Sequence, residues 1–241
     1  MENPEPRLTL DDVLGLRYLD QWEWSPDGRF IVFIWDDGLA HDLWLADPGN
    51  GPPGAVRRVS SAKRAVTGFS WRPGRNRPLE LAYVQDGEVW LAVEESPTPD
   101  GPPPGFASRP LLSAKAKHSS PAWSPDGRRL GYVYDEGLWV HDPDSARTRE
   151  LAVPGRLRMG FGGASAAFAW SPEAGTYIAF DFTDESKTTQ AAVVDPDAGD
   201  SGRVVWRSVG KDGATFIHWL DPTTAVYAVP RDGHLTSSSL P

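Results

Sequence analysis

Ser165 is the serine whose neighbours come closest to those of a catalytic nucleophile. Attack by a serine on a strand-to-helix turn requires Gly-x-Ser-x-Gly, because small residues tolerate the strained backbone there. Residues 163–167 are Gly-Ala-Ser-Ala-Ala, so the last glycine is replaced, and the segment leads into the strand expected at Trp170 instead of a helix. The sequence therefore predicts a small-residue loop at Ser165 without a catalytic role.

The histidines could act as general bases or metal ligands if they were grouped. None lies three or four residues from another, as a helical metal site would require. We interpret all of them as structural residues, although His218 precedes a tryptophan on an inner strand and could face a channel or a neighbouring unit. The five are His41, His118, His141, His218 and His234. The sequence thus predicts no catalytic residue, no metal ligand and no cofactor.

Two sets of carboxylates are also expected to have structural roles. Glu94 and Glu95 follow an apolar run and open a proline-rich stretch, which favours a solvated acidic turn. Asp27 and Asp126 stand in two copies of Ser-Pro-Asp-Gly, where aspartate bonds to nearby backbone and glycine accepts a positive φ. Their repetition at equivalent places predicts that they form turns.

The composition limits the partners that the protein can have. The chain has 241 residues, a net charge of −9 and no cysteine. Nucleic acids and anionic membranes are bound through basic surfaces. Because this chain is acidic, neither is expected as a partner. The first residues do not form a signal peptide, and no run of 18 apolar residues occurs. We therefore expect a cytoplasmic protein.

A repeat of about 50 residues organises the chain. Trp-Ser-Pro-Asp-Gly-Arg occurs at 24–29 and 123–128, and degenerate copies begin at Trp71, Trp170 and Trp219, with spacings of 47, 52, 47 and 49 residues. A short β-branched and aromatic run follows each copy, as expected for a buried strand. The unit is therefore strand, turn, strand.

Further strands complete each unit. Trp44, Trp90 and Trp139 mark a third strand, and a fourth is expected before the next copy begins. Four antiparallel strands at this period are typical of a propeller blade, whereas a β-sandwich does not require the same unit five times. The predicted fold class is all-β, a β-propeller with four complete four-stranded blades, a partial fifth blade and a short N-terminal helix.

The repeat also predicts boundaries. Residues 1–19 form an N-terminal arm with a short helix near 9–16, where Thr9 can cap the first turn. The expected blades are 20–62, 63–115, 116–153, 154–209 and a partial fifth at 210–241. A small closed propeller remains an alternative, but a fifth blade that stops before a convincing outer strand favours a truncated one.

Residues 121–133, Pro-Ala-Trp-Ser-Pro-Asp-Gly-Arg-Arg-Leu-Gly-Tyr-Val, resemble the repeat of TolB-type propellers and of propellers in the prolyl-oligopeptidase family of serine peptidases. Residues 8–14, with the copy at 24–29 and Asp-Leu-Trp at 42–44, resemble the start of bacterial dipeptidyl-peptidase IV and acylaminoacyl-peptidase enzymes. In this family an α/β-hydrolase domain holds the catalytic Ser, His and Asp, and the propeller restricts entry to peptides. The flanks of Glu94 and Glu95 do not match the family's paired glutamates, so that role is not transferred.

The resemblance implies two functions. The first is a substrate-gating propeller of a serine peptidase that cleaves peptides, with the hydrolase domain missing from these residues. The second is a TolB-like scaffold that binds a protein or peptide at the channel mouth without enzymatic activity. A propeller enzyme that uses residues in the channel is disfavoured, because no histidine or acidic constellation repeats between blades. The chain alone is expected not to hydrolyse peptides or esters.

Overall fold

The computed structural model describes residues 18–36, 41–49, 56–60, 65–74, 78–96, 105–112, 121–157, 168–208, 212–229 and 234–239. These residues form β-strands, turns and loops, and no helix occurs among them. The strands pair in antiparallel sheets that follow one another along the chain. The predicted all-β fold of consecutive blades is therefore confirmed. The helix expected near 9–16 lies outside the described residues.

The first three blades are four-stranded sheets whose strands pair in sequence order. Blade 1 contains β1 (Tyr18–Trp24), β2 (Ile31–Asp36), β3 (His41–Ala46) and β4 (Val56–Arg58). Blade 2 contains β5 (Val66–Trp71), β6 (Glu80–Gln85), β7 (Glu88–Glu94) and β8 (Phe106–Leu112). Blade 3 contains β9 (Ala122–Trp123), β10 (Leu130–Tyr134), β11 (Gly137–Asp142) and β12 (Arg147–Glu150).

The fourth and fifth blades depart from this pattern. Blade 4 contains β13 (Arg156–Leu157), β14 (Phe168–Trp170), β15 (Ile178–Thr183), β16 (Thr189–Asp195) and β17 (Arg203–Arg207). Because β13 and β14 pair with opposite ends of β15, they are two pieces of one divided first strand. Blade 5 contains β18 (Thr215–Asp221), β19 (Thr224–Val229) and β20 (His234–Ser239). The partial fifth blade therefore has three described strands.

The Ser-Pro-Asp-Gly turns join the first two strands of a blade. In blade 3, the Ser124 hydroxyl donates to the carboxylate of Asp126 at 2.6 Å and accepts from the Arg129 backbone N–H at 3.0 Å. Blade 1 has the same arrangement at Ser25 and Asp27. Both glycines, Gly28 and Gly127, have positive φ angles. The aspartates therefore form turns, as predicted, and the repeated motif has a repeated geometry.

The hydrophobic core lies between blades. Strand side chains point alternately to the two faces of a blade. Leu81 and Tyr83 accordingly pack towards blade 1, whereas Ala82 and Val84 pack towards blade 3. Two further apolar clusters join blade 3 to blade 4 and blade 4 to blade 5. We call each such contact between neighbouring blades a joint. The five blades are thus connected by four joints.

Candidate interaction surfaces

Among the residues that the structure describes, those that the sequence offered for chemistry are not brought together. Ser165 and His118 lie outside the described residues, and of His234 only the backbone is described. His41 and His218 are exposed on different blades. Within the described ranges, no group of three metal-ligating side chains occurs, and no helix is long and apolar enough to cross a membrane.

His141 is buried at the end of β11. Its Nδ1 lies 2.8 Å from the Thr148 hydroxyl on β12. Burial lowers the pKa of His141, Asp142 acts against this, and Arg109 lowers the pKa further. A neutral, hydrogen-bonded imidazole in this place supports the sheet, which agrees with the structural role expected for it.

Glu94 is not the solvated residue that the sequence predicts. Its side chain is only 10% exposed, and both carboxylate oxygens accept from Nη2 of Arg29 in blade 1 at 2.9 Å. It also accepts from the Leu79 backbone N–H at 3.3 Å. The prediction of a solvated acidic turn is therefore wrong for Glu94, which ties blade 2 to blade 1, whereas Glu95 is exposed.

The tryptophans that begin the repeats connect successive blades. Trp170 donates its indole N–H to the carbonyl of Ala122 at 3.0 Å, and Trp219 donates to that of Ala169 at 3.2 Å. Each acceptor directly precedes the repeat tryptophan of its own blade. The same donor and acceptor positions therefore recur in two successive joints.

Arginines add a second recurring contact. Arg72 of blade 2 lies over the Trp123 ring of blade 3, at 4.9 Å from the ring centroid, and its Nε donates to the Gly127 carbonyl at 2.7 Å. Arg129 of blade 3 lies over the Trp170 ring at 5.2 Å, and its Nη2 donates to the Gly175 carbonyl at 3.1 Å. A guanidinium above an indole is attracted to the ring face. Each arginine thus binds both the tryptophan and the turn of the next blade.

Blade 1 has one face that no other described blade covers. Its repeat tryptophan, Trp24, is 48% exposed, whereas the equivalent Trp71, Trp123, Trp170 and Trp219 are at most 8% exposed. Trp22 is 61% exposed and is paired with Phe33, which is paired with Trp44 across the sheet. Paired residues share a face of the sheet. We call the face that carries Trp22 and Trp24 the open face of blade 1.

The exposed large apolar residues cluster on the terminal blades. Four belong to blade 1 and two to β18 of blade 5, and none of those described belongs to blades 2 to 4. They are Leu19, Trp22, Trp24, Val56, Ile217 and Leu220. Large apolar side chains left exposed on the surface of a soluble protein are candidates for an interaction site. Both ends of the row of blades are therefore suited to bind another apolar surface.

A third candidate surface is a polar cleft of about 680 Å³ between blades 3 and 4. Its walls carry four arginines, which come from the turn before β10 and from β12, together with aspartates from both blades. The arginines are Arg128, Arg129, Arg147 and Arg149. In the sequence, only the adjacent arginines at 128–129 and the alternating arginines at 147 and 149 point to this site.

The blades, the repeated turn and the recurring joints define a β-propeller protein. Residues 92–211, just under half of the chain, match the family described as the dipeptidyl peptidase IV N-terminal region. These residues are therefore similar to a propeller of the dipeptidyl-peptidase-IV N-terminal type. A comparison with curated proteins finds no match.

Solved structures support the same fold. TolB from Acinetobacter baumannii is similar with a TM-score of 0.52 and 14% identity over 93% of this chain and 52% of its own. A TolB candidate from Agrobacterium tumefaciens gives 0.52 and 20% over 88% and 69%. An oligogalacturonate lyase in complex with manganese gives 0.56 and 14% over 91% and 64%. The chain thus spans about half to two thirds of the length of these proteins, and the likeness is one of fold.

Proposed function

We propose that this chain is the substrate-gating propeller portion of a serine peptidase that cleaves peptides. The observation that carries the proposal is the match of residues 92–211 to the dipeptidyl peptidase IV N-terminal region. No described residue of the chain takes a catalytic role in this proposal. An α/β-hydrolase domain outside these residues would supply the Ser nucleophile, the His base and the Asp that orients it. A cytoplasmic location and a peptide substrate remain predictions.

The physical basis of gating is the stiffness of the joints. A packed β-core has close to crystalline density, so it deforms little. The joints add indole and guanidinium hydrogen bonds to this packing, as at Trp170 and Arg129. A ring built in this way would admit an extended peptide to a central channel and exclude a folded protein. Substrate size, rather than side-chain chemistry in the blades, would then decide which molecules are cleaved.

The experiment uses the natural polypeptide that contains these 241 residues. We expect it to cleave a chromogenic dipeptide and a 20-residue peptide, and to leave folded protein substrates intact. The variant Trp170→Ala, which loosens a joint, should admit larger substrates while dipeptide turnover is unchanged. An open reading frame without a Gly-x-Ser-x-Gly segment and later Asp and His, or no peptide cleavage by the pure protein, contradicts the proposal.

A second function is favoured by a different observation, the open face of blade 1. Trp22 and Trp24 expose apolar surface that matches what a neighbouring blade covers elsewhere in the chain. In a TolB-like scaffold without enzymatic activity, this face would bind a partner that offers an apolar antiparallel sheet. Substitution of Trp24 by Gln should then abolish capture of the partner, while peptidase activity is absent from the natural protein.

A further inference from the structure

The polar cleft between blades 3 and 4 has a fixed inner wall. Arg129 is only 12% exposed and is held over Trp170, and its Nη1 donates to the Asp197 carboxylate at 2.8 Å. Arg149 donates to the Pro196 carbonyl at 2.5 Å and lies 3.4 Å from the same carboxylate. Two guanidiniums from blade 3 therefore converge on one carboxylate of blade 4. Their positions are set by packing before any ligand arrives.

The carboxylate of Asp197 indicates which chemical group the two guanidiniums bind. Its side chain is 65% exposed and stands on a surface turn, so water competes with both ion pairs. Guanidinium groups bind carboxylate and phosphate oxygens through paired N–H donors. An oxyanion from outside could bind the same donors beside or in place of Asp197.

The arginines at the outer rim of the cleft have weak ion pairs or none among the described residues. Arg128 is exposed, and no carboxylate among the described residues lies within ion-pair distance of it. Arg147 pairs at 3.2 Å with Asp200, whose side chain is 97% exposed. Exposed pairs of this kind contribute little free energy. Both guanidiniums can therefore turn towards a ligand at small cost.

The acidic groups of the cleft are engaged elsewhere. The Asp142 carboxylate accepts from the backbone N–H groups of Asp144 and Ser145 at 2.9 and 3.2 Å. Asp144 lies 3.6 Å from Nη2 of Arg72 in blade 2. The four arginines of the cleft outnumber its three aspartates, Asp142, Asp144 and Asp197, so the lining keeps an excess of one positive charge in a chain whose net charge is −9.

We propose that this cleft binds a small oxyanionic ligand with at least two negative charges, such as a di- or tricarboxylate or a phosphate compound. Arg129 and Arg149 hold one anionic group at the inner wall, where Asp197 now stands. Arg128 and Arg147 close on the second group at the rim. A volume of about 680 Å³ falls within the range of small-molecule sites.

Isothermal titration of the 241-residue chain tests the proposal, with citrate and inorganic pyrophosphate as probes at a constant ionic strength. We expect one site per chain for at least one probe. Arg128→Ala and Arg147→Ala should each weaken binding about tenfold, because a charge-assisted hydrogen bond is worth about 1.4 kcal/mol or more, which corresponds to a tenfold change. Asp197→Asn should strengthen binding several-fold, because it removes the competing carboxylate.

The matched control is Arg156→Ala, which removes an 80% exposed arginine of blade 4 that does not line the cleft. Its affinity should equal that of the unsubstituted chain. Citrate binding alone identifies a carboxylate ligand, and pyrophosphate binding alone identifies a phosphate. Side-chain ¹⁵N spectra of the unsubstituted chain provide a readout without variants, since the arginine Nε signals should shift on binding. No binding of either probe, or equal losses in Arg128→Ala and Arg156→Ala, overturns the proposal.

Discussion

The repeat tryptophan shows how strongly the setting of one residue depends on its neighbours. The same residue occupies the same place in five blades, yet Trp24 is half exposed and Trp170 is 8% exposed. Burial of a large aromatic side chain stabilises a fold by several kcal/mol relative to exposure. The four internal tryptophans therefore support the joints, whereas Trp24 presents most of its apolar surface to water.

Replacement of this residue should accordingly have position-dependent effects. Trp170→Ala removes a buried ring, its hydrogen bond to Ala122 and its contact with Arg129, so it should lower the free energy of unfolding by about 3–5 kcal/mol. Trp24→Ala should cost about 1 kcal/mol or less, as for other exposed positions. Urea denaturation of both variants measures the difference. Equal losses would contradict the assignment of Trp170 to a joint and of Trp24 to an open face.

His141 should make stability depend on pH. Burial holds its pKa below the ordinary value of about 6.5, so in mildly acidic solution the unfolded chain binds a proton more readily than the folded chain. This contribution to stability is complete above about pH 6.5 and is lost as the pH falls through the lower pKa of the folded state. In urea titrations at pH 7.5 and 5.5, His141→Gln should show a smaller decrease than the unsubstituted chain. His218→Gln, at an exposed position, should retain the full decrease.

At the scale of elements, the sequence predicts contacts within a turn better than contacts between blades. The turn at Ser124 is encoded within six residues, so its hydrogen bonds could be anticipated from the motif alone. Glu94 and Arg29 are 65 residues apart, and no local pattern announces their ion pair. The sequence does not predict the divided first strand of blade 4 either, because the repeat at Trp170 marks only one of its two pieces. The arginine cleft likewise exists only where two blades meet.

The joints differ in how much apolar surface they bury. Those of blades 1 to 4 are extended clusters, whereas the joint between blades 4 and 5 contains only four buried apolar residues among those described. They are Ala179, Val193, Trp219 and Ala225. Because each blade of a repeat fold is stabilised mainly by its neighbours, a small joint implies a weakly held blade.

Blade 5 should therefore open first. In native-state hydrogen exchange, the amides of β18 and β19 should exchange well before those of β10 and β11 in blade 3, which has a neighbour on each face. Both regions are antiparallel strands, so the comparison holds the type of hydrogen bond constant. Equal protection in the two blades would show that the fifth blade is supported by a contact that the described joints do not include.

At the scale of the whole molecule, blade 1 and blade 5 carry complementary hydrogen-bonding groups. Blade 1 offers an indole, Trp24, in the position from which Trp170 and Trp219 donate to a preceding blade. Blade 5 offers the carbonyl of His218, which precedes Trp219 as Ala169 precedes Trp170. The chain thus carries a donor end and an acceptor end of the same joint, as a head-to-tail contact requires.

Self-association of the 241-residue chain is the expected consequence. Burial of Trp22 and Trp24 against blade 5 of another copy would remove apolar surface from water, and a head-to-tail contact can continue from chain to chain. Sedimentation velocity at rising protein concentration should show species larger than a monomer. Trp22→Gln combined with Trp24→Gln should reduce them, and so should Ile217→Gln combined with Leu220→Gln, whereas Ala152→Gln at an exposed site of blade 3 should not. A monomer at high concentration, with all variants alike, would mean that these faces do not recognise each other.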